Sequence, residues 1–242
     1  MGDASRQYIS LTIALKRFKG ECEYLTMVEF RIEGADIQHL VANLGVGERI
    51  YIEGGHLVWK SGTVNLRATV KGGLLGGLKR ALTGASFFLL EAEGPGLVDV
   101  AGFAPGKVVE INLDGSGGIL VEHRSFLAME SSVEYDAKLV GLGFGWLGGE
   151  GLLMARLRGV GRVFLHAIGD SVMLNLGPGE AIDAEAGHVL AFEEGMRVTV
   201  HRVGGLTTML FGEEGLWFAR VEGPGRVWLR TLSRQQVIMG LM

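Results

Sequence analysis

The sequence contains one cysteine, Cys22, and only four prolines among its 242 residues. A single cysteine excludes an intrachain disulfide framework and fits a reducing compartment. Long hydrophobic runs are also missing, because the longest charge-free apolar stretch, residues 139–149, is interrupted by glycines. It falls short of the ~18 residues that span a bilayer. The N-terminus lacks the apolar core of a secretory signal, so we expect a cytoplasmic protein.

A strong excess of one charge is absent too, since the formal net charge is −4. Such a mild imbalance gives no electrostatic reason to expect nucleic acid or an anionic membrane surface as a partner. What the chain does have in abundance is glycine, with 40 residues, roughly twice the usual share. Glycine scattered among valine, leucine and isoleucine is typical of many short strands joined by tight turns.

Two sequence blocks recur along the chain. In the first block, residues 43–48 match residues 175–180 at five of six positions, and a Gly-His pair follows each copy. A third copy lies between them, where residues 106–113 resemble residues 169–176. Apolar residues alternate in these copies as in a strand that buries one face. Self-similarity of this kind indicates an architecture of repeats.

The second block closes each copy, at residues 86–98, 151–163 and 215–227. Its two predicted strands are joined by a Gly-x-Gly turn, in which proline presets φ in two copies and glycine supplies a positive φ.

We therefore predict an all-β fold of three tandem small β-sandwich repeats in a pseudo-threefold arrangement, with at most one or two short helices. The predicted repeats are residues 1–93, 94–158 and 159–242, with boundaries near Gly94 and Gly159.

A glycine-framed apolar loop precedes each closing block, at residues 72–84, 141–149 and 204–212. In a pseudo-threefold arrangement these loops lie on one rim, and an apolar patch of that size usually marks an interaction site. The first loop also has a basic edge of the kind found at membrane surfaces. The alternative is that the apolar side chains fold back into the core. The candidate binding residues are Leu74, Leu75, Leu78, Lys79, Arg80, Phe144, Trp146, Leu147, Met209, Leu210 and Phe211.

Asp99, Phe164 and Trp228 occupy matching positions in the closing strands, on the opposite face from the alternating valines. A large aromatic side chain on the outward side of a strand often anchors an interface. Phe164 and Trp228 are therefore candidate oligomer-interface residues. The alternative is that they form a second packed layer inside the sandwich.

Three segments together resemble a known family: residues 72–84 (GGLLGGLKRALTG), 187–192 (GHVLAF) and 223–231 (GPGRVWLRT). The family is widespread in bacteria and archaea and is related to the mitochondrial altered-inheritance protein required for inner-membrane organisation in yeast. The resemblance covers nearly the whole chain. It implies three tandem copies of the fold of the tryptophan RNA-binding attenuation protein (TRAP), a shortened double-stranded β-helix that tends to form rings. It implies no activity, and the chain departs from the family at Arg230, where members often carry glutamine.

No set of residues with recognisable catalytic or metal-binding spacing stands out. His56 and His188 occupy equivalent positions, but the third copy has Ser125 there, so three matching metal ligands are missing. There is no His-x-His motif, and Cys22 has no second cysteine to bind with. We expect no metal and no cofactor. We expect each Gly-His pair to form a turn whose imidazole caps backbone groups.

RNA binding is what the TRAP fold suggests by analogy, but a fold does not establish a function. A ring that binds RNA presents the same basic residues from every repeat. Here the first repeat breaks the pattern, since Glu91 corresponds to Arg156 and Arg220, and Leu97 to Arg162 and Arg226. We therefore do not expect nucleic acid as a partner.

Together these patterns favour a non-enzymatic, self-associating β scaffold, with a homotrimer favoured because nine repeats fit a ring-like body. Its apolar loops would bind peripherally to a membrane surface or contact a protein partner. A small-molecule-binding protein that uses clefts between repeats is the alternative, and RNA binding is a weaker one.

Overall fold

The computed structural model describes residues 28–69, 89–141, 153–203 and 216–240, together with two short paired strands, β1 (Arg17–Phe18) and β2 (Glu21–Cys22). Within these residues the chain is nearly all β, built from antiparallel sheets with three 3₁₀ turns and one short α-helix. The prediction of an all-β class is confirmed for these residues, which contain one short α-helix.

The strands form where apolar side chains alternate with polar ones. In β5, Ile50 and Ile52 are fully buried, whereas Arg49 points to solvent. Side chains of successive strand residues point to opposite faces of a sheet, so this alternation places one face in the core and the other in water. The described core consists of three clusters of buried hydrophobic residues.

The strands divide into three successive sets, which we call strand groups 1, 2 and 3. Strand group 1 contains β3 (Glu29–Glu33), β4 (His39–Leu44), β5 (Arg49–Glu53), the 3₁₀ helix η1 (Gly54–His56), β6 (Leu57–Lys60), β7 (Asn65–Thr69), β8 (Leu89–Glu93) and β9 (Gly96–Ala101).

Strand group 2 follows after a short connection. It contains β10 (Gly106–Asp114), β11 (Ile119–Glu122), η2 (His123–Ser125), β12 (Phe126–Glu130), β13 (Val133–Gly141) and the long β14 (Leu153–Ile168).

Strand group 3 completes the β structure. It contains β15 (Ser171–Leu176), β16 (Ala181–Glu185), η3 (Ala186–His188), β17 (Val189–Glu193), β18 (Arg197–Val203), β19 (Leu216–Glu222) and β20 (Gly225–Arg230). The helix α1 (Arg234–Met239) comes last and begins with a capping box between Ser233 and Gln236.

The pairing pattern recurs from group to group. The first long strand pairs with the closing strand, with Leu44 opposite Gly96 in group 1 and Leu176 opposite Gly225 in group 3. In group 2 the second half of β14 serves as the closing strand, and Leu113 lies opposite Gly161. All three glycines have a positive φ, of 136°, 148° and 144° in chain order, which side chains other than glycine rarely adopt. This explains why the turn needs glycine.

The closing strands pair with strands that precede them in the sequence. Strand β9 lies between β4 and β6, and residues 161–167 pair with β10. A division of the chain by strand pairing therefore falls in the connections after Ala101 and Ile168. The predicted boundaries near Gly94 and Gly159 instead lie at the turn that leads into each closing strand.

The strand groups are joined by antiparallel pairing. Strand β12 of group 2 pairs with β5 of group 1, and β17 of group 3 pairs with β11 of group 2. Group 2 is thus paired on both sides. No helix in the described part of the chain is long and apolar enough to cross a membrane.

Candidate interaction site at the strand-group junctions

The junction between groups 1 and 2 is an apolar contact beside the β12–β5 pairing. Strand β12 has a bulge between Phe126 and Ala128, which re-aims the side chain of Leu127. Leu127 and Phe164 are both fully buried and pack in the hydrophobic cluster of group 1. The ring of Phe164 lies 4.5 Å from that of Phe30, measured between centroids. The junction is therefore part of the core.

The junction between groups 2 and 3 is built the same way. Strand β17 has a bulge between Val189 and Ala191, and Leu190 is fully buried. Leu190 and Trp228 pack in the hydrophobic cluster of group 2. Each later strand group thus inserts one bulged leucine and one aromatic ring into the core of the group before it.

Phe164 and Trp228, the two aromatic residues predicted from the sequence, lie inside the chain. They pack between strand groups, which corresponds to the packed-layer alternative and leaves almost none of either ring at the surface. Alternation along the strand predicted their direction, but it did not reveal that a neighbouring strand group covers them.

In group 1, the positions that match the inserted leucine and aromatic ring of the later groups contact no other strand group among the described residues. The matching positions hold Val58, Trp59 and Asp99, because Trp59 lies opposite Asp99 beside a bulge between Leu57 and Trp59. Trp59 donates a hydrogen bond of 2.8 Å from Nε1 to Asp99, and His39 Nδ1 lies 2.9 Å from the same carboxylate. Val58 is 57% exposed and Trp59 45%. Val58 and Trp59 are therefore exposed apolar side chains among the described residues, whereas Asp99 is buried beneath them with its two hydrogen-bonding partners.

Group 3 presents the complementary open face. In groups 1 and 2 the strand before the 3₁₀ turn buries its apolar residues, as Ile52 and Val121 illustrate. In group 3 the matching strand β16 leaves Ile182 and Ala184 only half-buried. No described strand group inserts side chains here, so the cluster of group 3 lacks the layer that covers the other two.

A buried polar network crosses the junction between groups 2 and 3. The guanidinium of Arg230 donates hydrogen bonds to the carbonyl of Gly187 and to Ser125 Oγ, at 2.8 and 2.9 Å. Ser125 Oγ donates in turn to Glu122 at 2.8 Å, and Arg230 lies 3.5 Å from the same carboxylate. Buried charges are tolerated when they are paired and hydrogen-bonded in this way. Arg230 thus fastens β20 to the two 3₁₀ turns η2 and η3.

His166 occupies the position that Arg230 holds in group 3. It is 1% exposed, and burial lowers its pKa from 6.5 to about 4, with the charges of His56 and Arg230 adding to the effect. Neither ring nitrogen makes a well-formed hydrogen bond, although the backbone of Ala104 partly offsets the shift. The imidazole is therefore neutral near pH 7. It packs against Gly102, where an added Cβ atom would clash with Cδ2 of the ring.

The predicted backbone caps are confirmed for both Gly-His pairs. Nδ1 of His56 lies 2.8 Å from the carbonyl oxygen of Ala101, and Nδ1 of His188 lies 2.8 Å from that of Arg230. Each imidazole ties its 3₁₀ turn to the closing strand of its own group. In group 2, Ser125 occupies this position and bonds to Glu122 instead.

The histidines also face the glutamate that begins each 3₁₀ turn. His188 Nε2 lies 2.9 Å from Glu185, and His56 Nε2 lies 3.6 Å from Glu53. In the part of the chain that the structure describes, no group of three or more His, Cys, Asp or Glu side chains is placed to hold a metal ion.

The eleven candidate residues of the apolar loops lie outside the described residues. Sequence reasoning missed Leu127, Leu190 and the Glu122–Ser125–Arg230 network. The signal for the leucines was present in the match between residues 126–128 and 189–191, which share Leu-Ala after a large apolar residue. The network had no such signal, because its members come from distant parts of the chain.

The described residues define a nearly all-β protein whose strand groups are joined by strand pairing and by inserted apolar side chains. The chain belongs to the mitochondrial biogenesis AIM24 family, whose model matches residues 30–232. This confirms the family to which the sequence was expected to belong.

Two related proteins come from Streptococcus pyogenes. An uncharacterised protein of serotype M6 is 23% identical over 219 residues, which cover 86% of this chain and 84% of the relative. A crystal structure of a structural genomics target from the same species matches with a TM-score of 0.70 and 22% identity, covering 89% of this chain and 98% of that chain. That similarity shows a shared fold.

Proposed function

We propose that this protein is a non-enzymatic, self-associating β scaffold made of three TRAP-like modules about a pseudo-threefold axis. The observation that carries the proposal is the repeated junction, in which a bulged leucine and an aromatic ring of one strand group enter the core of the group before it. Repeat architectures bury their hydrophobic faces by this kind of nearest-neighbour stacking. The repeated junction supports a role in which similar units bind one another.

The three strand groups are the proposed modules. Each has the same order of strands around a 3₁₀ turn and the same register between its first long strand and its closing strand. Backbone contacts also link the starts of the long strands, since Ile37 bridges to Gly106 and Gly106 bridges to Gly169. Convergence of equivalent positions is what a pseudo-threefold arrangement requires.

We propose a homotrimer, with nine modules in a ring-like body, in the cytoplasm. Light scattering coupled to size-exclusion chromatography tests it on the wild-type chain. The expected result is a mass three times the 26.0 kDa of one chain. A mass of one chain at micromolar concentration would contradict self-association, and another multiple would contradict the trimer alone.

The apolar loops give the scaffold its proposed contact with a membrane surface. Support comes from the sequence, which places Phe144 and Trp146 in one loop and a basic edge in another. Flotation with anionic liposomes tests the contact, comparing wild type with the Phe144→Ser, Trp146→Ser double variant. Val46→Ser, which changes an exposed apolar residue at a turn, is the control. Equal flotation of all three proteins, or none, would remove the membrane role and leave the scaffold.

Nucleic acid is not part of the proposal, because the candidate basic residues already have acidic partners. Arg162 pairs with Glu130 at 2.8 Å, and Arg226 lies 2.5 Å from Glu193. The ligand alternative needs clefts between modules. Both described junctions are filled by the chain's own side chains, so no described cleft favours it.

A further inference from the structure

We propose that two copies of this chain join through the free edges of β6 and β16, in the antiparallel register that already joins the strand groups within one chain. The inference rests on the proposed self-association and names the surface and the partner, which is a second copy. The contact repeats an interface that the chain already forms twice.

The internal junctions follow one pairing rule. The strand after the 3₁₀ turn of one group pairs with the strand before the 3₁₀ turn of the preceding group, as β12 does with β5 and β17 with β11. Applied a third time, the rule joins β6 of group 1 to β16 of group 3. These two strands do not pair with each other in the described chain, so we assign the third contact to a second copy. Within the described residues β6 pairs only with β9, and β16 only with β19. Two matching edges therefore remain unpaired.

The register of the new contact follows from the two existing ones. Ala128 lies opposite Ile52 at the first junction, and Ala191 lies opposite Val121 at the second. Trp59 is the equivalent of Ala128. Ala128 lies opposite Phe164 of its closing strand, and Trp59 lies opposite Asp99, which holds the matching position in group 1. Ile52, Val121 and Ala184 each precede the glutamate that begins a 3₁₀ turn.

The third junction therefore places Trp59 opposite Ala184 and Lys60 opposite Asp183. Opposite charges directly across a strand pair are favourable, and like charges are unfavourable. At this position the first internal junction has Met129 opposite Tyr51 and the second has Phe192 opposite Leu120, so only the free edges carry charge there. Lys60 and Asp183 therefore favour pairing of β6 with β16. The same charges disfavour pairing of β6 with another β6, or of β16 with another β16, when like residues lie opposite. Charged residues commonly protect exposed edges in this way.

The apolar parts of the contact also match. Val58 stands where Leu127 and Leu190 insert into a neighbouring core, and it is exposed in the single chain. The receiving cluster of group 3 has a half-buried face at Ile182 and Ala184. Asp99 tolerates burial there because Trp59 and His39 already bond to it. Head-to-tail contacts of this kind close into rings when the rotation fits.

Val58→Glu tests the insertion, with Val46→Glu as the matched control. Both residues are exposed valines of group 1, so both variants should fold with the circular dichroism spectrum of the wild type. We expect Val58→Glu to weaken self-association at least tenfold by light scattering across a dilution series, because a charge would enter an apolar site. Association equal to that of Val46→Glu would overturn the proposal.

A charge exchange tests the register. Lys60→Asp or Asp183→Lys alone should weaken association about fivefold, and the double variant should regain most of that loss. Asp183 also pairs with Arg220 at 3.0 Å within the chain, so the recovery in the double variant is the informative comparison. A double variant no stronger than the weaker single variant would refute the register.

Cross-linking separates the two proposals. Lys60→Cys and Asp183→Cys are combined in a Cys22→Ser background and oxidised, since residues directly opposite in a strand pair are close enough for a disulfide. Linked chains on a non-reducing gel support the contact. A disulfide confined to single chains, or none in a protein that still associates, refutes the edge contact while self-association stands. A monomeric wild type refutes both.

Discussion

The neutral imidazole of His166 should make the protein lose stability in weak acid. The unfolded chain binds a proton on this side chain with a pKa near 6.5, whereas the buried side chain has a pKa of about 4. The unfolded state therefore binds more protons throughout this window, and stability falls as pH drops from 6.5 to 4. At 1.36 kcal/mol per unit, the difference amounts to about 3 kcal/mol.

Urea unfolding at pH 7, 5.5 and 4, at one fixed protein concentration, measures this loss. His166→Leu is the comparison, because leucine fills much of the same space and cannot take up a proton. Wild type should lose about 3 kcal/mol more than His166→Leu between pH 7 and pH 4. Other titrating groups act in both proteins and cancel. Equal losses in the two proteins would show that the imidazole is already protonated or solvated in the folded state.

Three other substitutions test the junctions. Gly102→Ala places a Cβ atom against the His166 ring, so the free energy of unfolding should fall by about 1–3 kcal/mol; an unchanged thermal midpoint would mean that the ring moves aside. Phe164→Ala empties a fully buried site between groups 1 and 2 and should cost about 3–5 kcal/mol in urea unfolding, whereas a loss below about 1 kcal/mol would contradict the packing. Arg230→Ala leaves the buried carboxylate of Glu122 without its cation and should cost about 3 kcal/mol, which a neutral result would disprove.

Much of the strand structure could be predicted from local pattern. Alternation at Ile50 and Ile52, and glycine at positions 96, 161 and 225, follow from rules that act over a few residues. The backbone caps of His56 and His188 were predicted because Ser125 holds the matching position in the predicted second repeat, so that three matching metal ligands are missing. Each of these features could be predicted from one short segment or from a comparison of the sequence repeats.

The pairing partners of the closing strands and the burial of Phe164 could not be predicted in this way. Whether a closing strand joins the strands before or after it depends on pairing across tens of residues. Alternation shows which way Phe164 points but not which surface meets it. The network of Glu122, Ser125 and Arg230 could not be predicted either, because its hydrogen bonds join residues that are distant in the sequence.

Hydrogen exchange across a dilution series tests the central claim most directly. If the junction used inside the chain also joins two copies, amides on the free sides of β6 and β16 should become protected together as concentration rises. Strand β3, which ends the same sheet as β6, should show no change. Protection that stays constant in β6 and β16 while the mass increases would contradict the account, because the copies would then meet through another surface.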